Sequence, residues 1–240
     1  MNMPVDRKWF CIDLPAMAYT EAWTLQGQLV AARKKNALDR DLVLLLEHPP
    51  VFTLGRRGGL KNLKVSEASL KAAGIPVIQV ERGGDITFHG PGQLIMYPIL
   101  DLQKAGLTVT DYVKSLEEIM IRLARDYGVE AERNPRNRGV WVGARKLGSI
   151  GVAIRKGISF HGMALNVNPS LEPFQWIHPC GLHGVGITSI AQEVNIDVSL
   201  DQARHRIREH IETVFHIKLV TLGWSELQTL SDAFLERISQ

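Results

Sequence analysis

The residues able to do chemistry in this 240-residue chain gather in three stretches. The first is "QWIHPCGLHGVG" (175–186), where Cys180 sits between a proline and a glycine with His178 and His183 close by. A cysteine attacks carbon as the thiolate. Its free pKa of about 8.5 leaves little thiolate at neutral pH unless a cation, a helix N-terminus or a histidine stands beside it. Three neighbours are available: His178, His183 and, through the fold, Lys146 in "GARKLGSIG" (143–151). Adjacency in sequence does not put side chains in contact across a turn. Cys180 therefore carries two readings, a reactive thiol or the small buried apolar residue that free cysteine usually is. Cys11, in the strand-like "WFCIDL", fits the second reading.

The densest stretch is "ERGGDITFHGPGQLIMYP" (81–98), with Arg82, Asp85, Thr87, His89 and Gln93 set among glycines and prolines. Glycine lets backbone approach a ligand closely. The stretch lacks the lysine-serine or lysine-threonine ending of a phosphate loop and the spacing of a dinucleotide fingerprint. It reads either as a backbone-lined pocket or as a turn-rich hairpin connection. His89 taken alone is a structural hydrogen-bonding residue.

These stretches need elements to hold them. Helical periodicity predicts helices over 19–36, 66–74 (Ser66 as cap), 110–128 (a Thr cap and a Gly stop), 199–215 and 225–239. Apolar or alternating runs predict strands over 41–48, 75–80, 93–100, 139–154 and 158–167, the last two joined by the turn "RKG". Strands outnumber what strict βαβ repetition supplies, so the expected fold is α/β (α+β), a mixed sheet flanked by helices. One domain over 1–240 is expected, with the residues from about 190 packed on it as a helical appendage.

Composition narrows the function class. The chain is 45% hydrophobic and 22% charged, with a net charge of +3, too small to make nucleic acid the default partner. No apolar run approaches the roughly 20 residues of a membrane span. Charges near the N-terminus stand where a signal peptide needs its apolar stretch, so the expected location is the cytoplasm. Two cysteines suggest no disulfide framework there.

"RGGDITFHGPGQLIMYPILDL", "ARKLGSIGVAIRKGISFHGMALNVNP" and "IHPCGL" together, in this order, closely resemble the lipoyl(octanoyl) transferases, the lipoate–protein ligase B family. Weaker similarity reaches back to "LLLEHPPVFTLGRRG" (44–58). The resemblance implies the catalytic fold shared with biotin– and lipoate–protein ligases. It implies transfer of octanoyl (or lipoyl) from acyl carrier protein to a lysine of lipoyl domains, the first step of endogenous protein lipoylation. The acceptors are E2 subunits of 2-oxoacid dehydrogenases and the H protein of glycine cleavage. Cys180 matches the nucleophile that carries the acyl thioester, and Lys146 the lysine that lowers its pKa. Arg82, Gly83, Gly84, Asp85, Ile86, Thr87, Phe88 and His89 match one substrate-lining segment. Ser149, Ile150 and Gly151, with Gly162, Met163 and Ala164, match the other two. No metal and no cofactor is implied beyond the phosphopantetheine that delivers the acyl group, no membrane or nucleic acid is involved, and a monomer is expected.

Residue types suit that chemistry. A thiolate exchanges with a thioester at little thermodynamic cost, so no ATP is required, and an acyl-enzyme predicts ping-pong kinetics. The oxyanion of each half-reaction needs donors, and backbone N–H groups near Ser149–Gly151 or beside Cys180 are candidates. Phe88, Met96, Ile150, Phe160 and Met163 are candidate walls of the apolar slot. Arg56, Arg57, Lys61, Lys64, Arg145 and Lys156 could form a surface for the acidic carrier protein. The rival readings are an ATP-dependent lipoate or biotin ligase, a lipoyl-domain amidotransferase on the same fold, an idle carrier-protein-binding module and a cysteine hydrolase.

Overall fold

The structure, a computed structural model, describes residues 7–135, 137–178 and 185–229. In chain order the elements are β1 (Lys8–Asp13), α1 (Tyr19–Lys34), β2 (Leu42–Leu46), β3 (Val51–Leu54), α2 (Glu67–Ala72), β4 (Val77–Gln79), β5 (Ile86–His89) and β6 (Gln93–Ile99). Then come α3 (Leu102–Ala105), α4 (Val109–Asp126), β7 (Glu132–Arg133), β8 (Val140–Val142), β9 (Arg145–Arg155) and β10 (Ile158–Asn166). The last are β11 (Gly186–Ile187), α5 (Ile190–Val194), α6 (Leu200–Phe215) and β12 (Lys218–Thr221).

The main sheet runs β12-β1-β2-β6-β10-β9-β8-β7, with β11 added on β9. It is mixed: β1 pairs in parallel with β2 and β12, while β2–β6, β6–β10 and β10–β9 are antiparallel. The interior strand β2, "LVLLL", is buried at every position because both faces are covered. On one face Leu45, Leu94 and Leu165 pack under Leu116, Ile119 and Met120 of α4 and Ile207 and Ile211 of α6. On the other, Leu44, Ile95 and Tyr97 pack under Ala22, Leu25 and Leu29 of α1. Truncating one such leucine to alanine costs about 2–5 kcal/mol. A second sheet, β4-β3-β5, closes over Phe52, Phe88, Phe174 and Ile177.

Four expectations from sequence shift. The apolar run 139–154 is a hairpin rather than one strand: Gly143 and Ala144 turn the chain, so Val142 faces Arg145. The cap of α4 is Thr108, whose Oγ1 accepts from the Asp111 N–H at 3.1 Å, so the helix starts before Thr110. Residues beyond 190 are not all helical, because Lys218–Thr221 pairs with β1 as the sheet edge. Their helix α6 also buries Ala203, Ile207 and Ile211 in the main core. The terminal helix begins at residue 224 rather than at a Ser225 cap, and 230–239 of that expected helix lie outside the described residues. The "RKG" turn stands, with Arg155 opposite Ile158.

Candidate active site

The Arg82–Gly84 loop lies across β9. Gly83 donates its N–H to the Val152 carbonyl at 2.9 Å, and the loop's carbonyls accept from Arg56 (2.9 Å) and Arg57 (3.1 Å). Gly151 permits this approach: a Cβ there would lie 2.8 Å from Arg82 Cδ and 3.1 Å from the Gly83 carbonyl oxygen. Between loop and sheet runs a cavity of about 450 Å³, counting the part open to solvent. Its lining includes Arg82, Gly84, Asp85, Ile86, Thr87 and His89 from one side. Ser149, Ile150, Gly151, Gly162, Met163 and Ala164 line the other. Gly83 borders the adjoining recess, which shares Gly84, Asp85, Ile150 and Gly151 with the first and holds Lys146, Asn137 and Arg57.

Lys146 is 3% exposed, and its Nζ donates to Asn137 Oδ1 at 2.5 Å. Gly139 makes room for the lysine stem: its φ is +116°, and a Cβ there would meet the Gly148 carbonyl at 2.3 Å and Lys146 Cε at 3.0 Å. Glu117, buried on α4, accepts the Gly139 N–H at 3.1 Å and anchors the turn. The strand β11 runs beside Lys146, with Ile187 in register with it and Thr188 N–H donating to its carbonyl at 3.0 Å.

A buried polar run connects the two stretches. Arg82 donates to Thr53 Oγ1 from Nη2 (2.8 Å) and Nε (3.2 Å). The Thr53 hydroxyl faces His89 Nε2 at 3.4 Å, His89 Nδ1 faces Gln93 Oε1 at 3.1 Å, and Gln93 Nε2 donates to Asn166 Oδ1 at 3.0 Å. Asn166 Nδ2 then donates to the Thr188 carbonyl at 2.9 Å, next to the strand that flanks Lys146. Gln93 Oε1 can only accept, so His89 carries its proton on Nδ1 and accepts a hydrogen bond from the Thr53 hydroxyl on Nε2. Burial holds its pKa well below the ordinary value. His89 is thus a hydrogen-bonding histidine, as read from sequence.

Phe88 departs from its expected place. Strand alternation turns it away from Thr87 and His89, and it packs on Phe52 (5.2 Å between ring centres) and Phe174 (5.5 Å). Met96 joins the core under α4 and Phe160 the core under α1, so of the expected slot walls only Ile150 and Met163 line the cavity. Cys180 and His183 lie outside the described residues. Their segment leaves at His178, whose N–H donates to the Asn62 carbonyl at 2.8 Å, and returns at Val185. Asn62 in turn donates to Asp85 Oδ2 at 2.8 Å, tying that segment to the glycine-rich loop. Lys156 stands at the far end of β9 from Lys146, about 33 Å away at 3.3 Å per residue, so it belongs to a different surface. Tyr19, Tyr97 and His161 line the cavity unforeseen, as does Asn137 in the recess. The period-2 alternation of β6 signals Tyr97, but nothing local in sequence signals the other three.

The Lipoyl protein ligase A/B catalytic domain family matches residues 18–212. An octanoyltransferase of Desulfotalea psychrophila is 52% identical over 86% of this chain and 93% of its own length. One from Syntrophobacter fumaroxidans is 46% identical over 87% and 91%. The chain belongs to the octanoyltransferase family. As a member it is an acyltransferase. The fold extends further than the sequence likeness. A bipartite lipoate protein ligase from Thermoplasma acidophilum superposes with a TM-score of 0.73 over 96% of this chain and 93% of that one, at 17% identity. Among the described residues no helix is long and apolar enough to cross a membrane.

Proposed function

We propose that this octanoyltransferase-family chain moves an octanoyl group (or a lipoyl group) from acyl carrier protein to a lysine of lipoyl domains, through a thioester on Cys180. The observation that carries the reading is the place of Lys146. It is a buried lysine lining the recess that adjoins the cavity, on the strand flanked by the first described strand after Cys180. In the first half-reaction the Cys180 thiolate attacks the donor thioester carbonyl. The Cys180 S–C bond forms, the phosphopantetheine C–S bond breaks, and the leaving thiolate takes a proton from Lys146. In the second, the acceptor amine attacks the acyl-enzyme, an amide forms and the Cys180 thiolate returns. Lys146, deprotonated by the first step, takes the proton that the amine loses. Backbone N–H groups near Ser149–Gly151 suit the oxyanion. The acceptors proposed are E2 subunits of 2-oxoacid dehydrogenases and the glycine cleavage H protein, in the cytoplasm, with no ATP, metal or resident cofactor.

The test is the intact mass of the protein after incubation with octanoyl-acyl carrier protein, for wild type and Cys180→Ala. One octanoyl adduct on wild type, absent from the variant and cleared by a lipoyl domain, is the expected result. Acylation that appears only with ATP and free octanoate would overturn it and point to a ligase.

A further inference from the structure

His161 sits in the middle of β10 with φ of +53°, a left-handed backbone conformation that costs a non-glycine residue in a strand. Successive strand residues normally point to opposite faces. Here the kink turns His161 to the face of its neighbour, and the Phe160 and His161 rings stack 4.9 Å apart. Helix α1 holds the kink from two positions on one face of the helix. Gln26 Oε1 accepts the His161 N–H at 2.7 Å, and the Tyr19 hydroxyl meets His161 Nδ1 at 3.3 Å. Tyr97 packs edge-on against the same imidazole and is bound through its hydroxyl to His48 Nε2 at 2.8 Å. The imidazole is 1% exposed and borders the cavity. Its Nε2 lies 3.8 Å from Glu81 and has no hydrogen-bond partner among the described residues.

The position along the sheet gives this group its meaning. His161 pairs with Val152, six residues beyond Lys146 on β9, or about 20 Å at 3.3 Å per residue. Lys146 is thus at one end of the continuous recess and cavity, and His161 with Tyr19 is at the other. We propose that His161, locked by Tyr19 and Gln26, is the end wall of the acyl slot and the residue that limits the length of chain the site accepts. The inference rests on the reading of this cavity as the acyl slot. An aliphatic wall can yield by changing rotamer. A kinked imidazole fixed through both its ring and its N–H cannot.

The test compares kcat/KM for octanoyl- and dodecanoyl-acyl carrier protein in wild type, His161→Gly and Tyr19→Phe. Glycine adopts the kinked backbone freely and removes the wall. Wild type should favour octanoyl, and His161→Gly should reduce that preference at least about tenfold by gaining on the longer chain, since each methylene in a shaped pocket is worth about 10–200-fold. Tyr19→Phe, which keeps the ring and loses only the hydroxyl, should move the ratio the same way by less. It carries the test if the glycine variant does not fold. An octanoyl adduct on wild type with an unmoved ratio in the variants, or equal loss on both donors, overturns this inference and leaves the function reading standing. Failure of wild type to take octanoyl from the carrier protein overturns both.

Discussion

Lys146 and Asn137 are joined by a 2.5 Å hydrogen bond, and Trp141 serves both partners. The indole ring stands 5.4 Å from the lysine Nζ, while its Nε1–H donates to the Asn137 carbonyl at 3.2 Å. The ammonium is therefore aimed from one side by an amide oxygen and from another by an aromatic face. Hydrogen bonds to charged groups are worth about 1.5–3 kcal/mol. Asn137→Ala should accordingly lower kcat about 10- to 100-fold, at 1.36 kcal/mol per tenfold. KM for the donor should change little. Steady-state rates with octanoyl-acyl carrier protein check this, and an unchanged kcat would remove Asn137 from the machinery.

Asn166 is 4% exposed and links Gln93 to the Thr188 carbonyl. Asn166→Leu strands two buried polar groups at about 1–3 kcal/mol each. Urea denaturation should show a loss of about 2–6 kcal/mol on that basis, with kcat falling because β11 loses one of its ties. Full activity in a destabilised variant would show that the polar run serves stability alone.

Three buried histidines set a pH limit. Burial holds His48 and His161 down at about 4 and His89 well below its ordinary value. The unfolded chain takes up protons on these imidazoles below about 6.5, while the folded chain does not. Stability is therefore present above pH 6.5 and lost as pH falls toward 4, by up to about 3 kcal/mol for each of the two at 1.36 kcal/mol per unit. Urea midpoints across pH 7.5 to 4.5 should fall accordingly. His48→Gln should flatten part of the slope, and a flat wild-type profile would contradict the assignment.

Arg56 and Arg57 are exposed beside the recess that holds Lys146, and Arg138 is exposed on its opposite rim. Reversing Arg56 and Arg57 to Glu should lower kcat/KM for carrier-protein donors about tenfold or more, through loss of steering. Use of a small octanoyl thioester should hardly change, and added salt should mimic the variant on wild type. Equal loss on both donors would mean that the arginines act on the chemistry instead.

The glycine-rich loop stood out by its residue types, with glycines and prolines set among polar side chains. The role of Lys146 and the segments Ser149–Gly151 and Gly162–Ala164 came through the family resemblance, and the structure brings the two segments to the cavity and Lys146 to the adjoining recess. Phe88 was misplaced because a continuous motif was carried over whole, although strand alternation separates it from Thr87 and His89. The 140–155 hairpin was hidden because Gly143 and Ala144 interrupt an apolar run without any polar turn residue. Tyr19, Asn137 and His161 could not be found locally. Each owes its place to a partner on another element, and in the case of His161 to a backbone kink that no neighbour in sequence announces.

The Cys180 segment is tied at both ends to distant parts of the chain, His178 to Asn62 and Ile187 to Lys146. Contacts across such separations form late, because the loop-closing entropy falls due before the contact returns anything. On the proposed mechanism, a chain emerging from the ribosome would hold its nucleophile and its lysine apart until residues near 188 had been made and both sheets had closed. Its thiol would meet acyl donors during synthesis only as an ordinary cysteine. The site would come into being in one step with the tertiary fold.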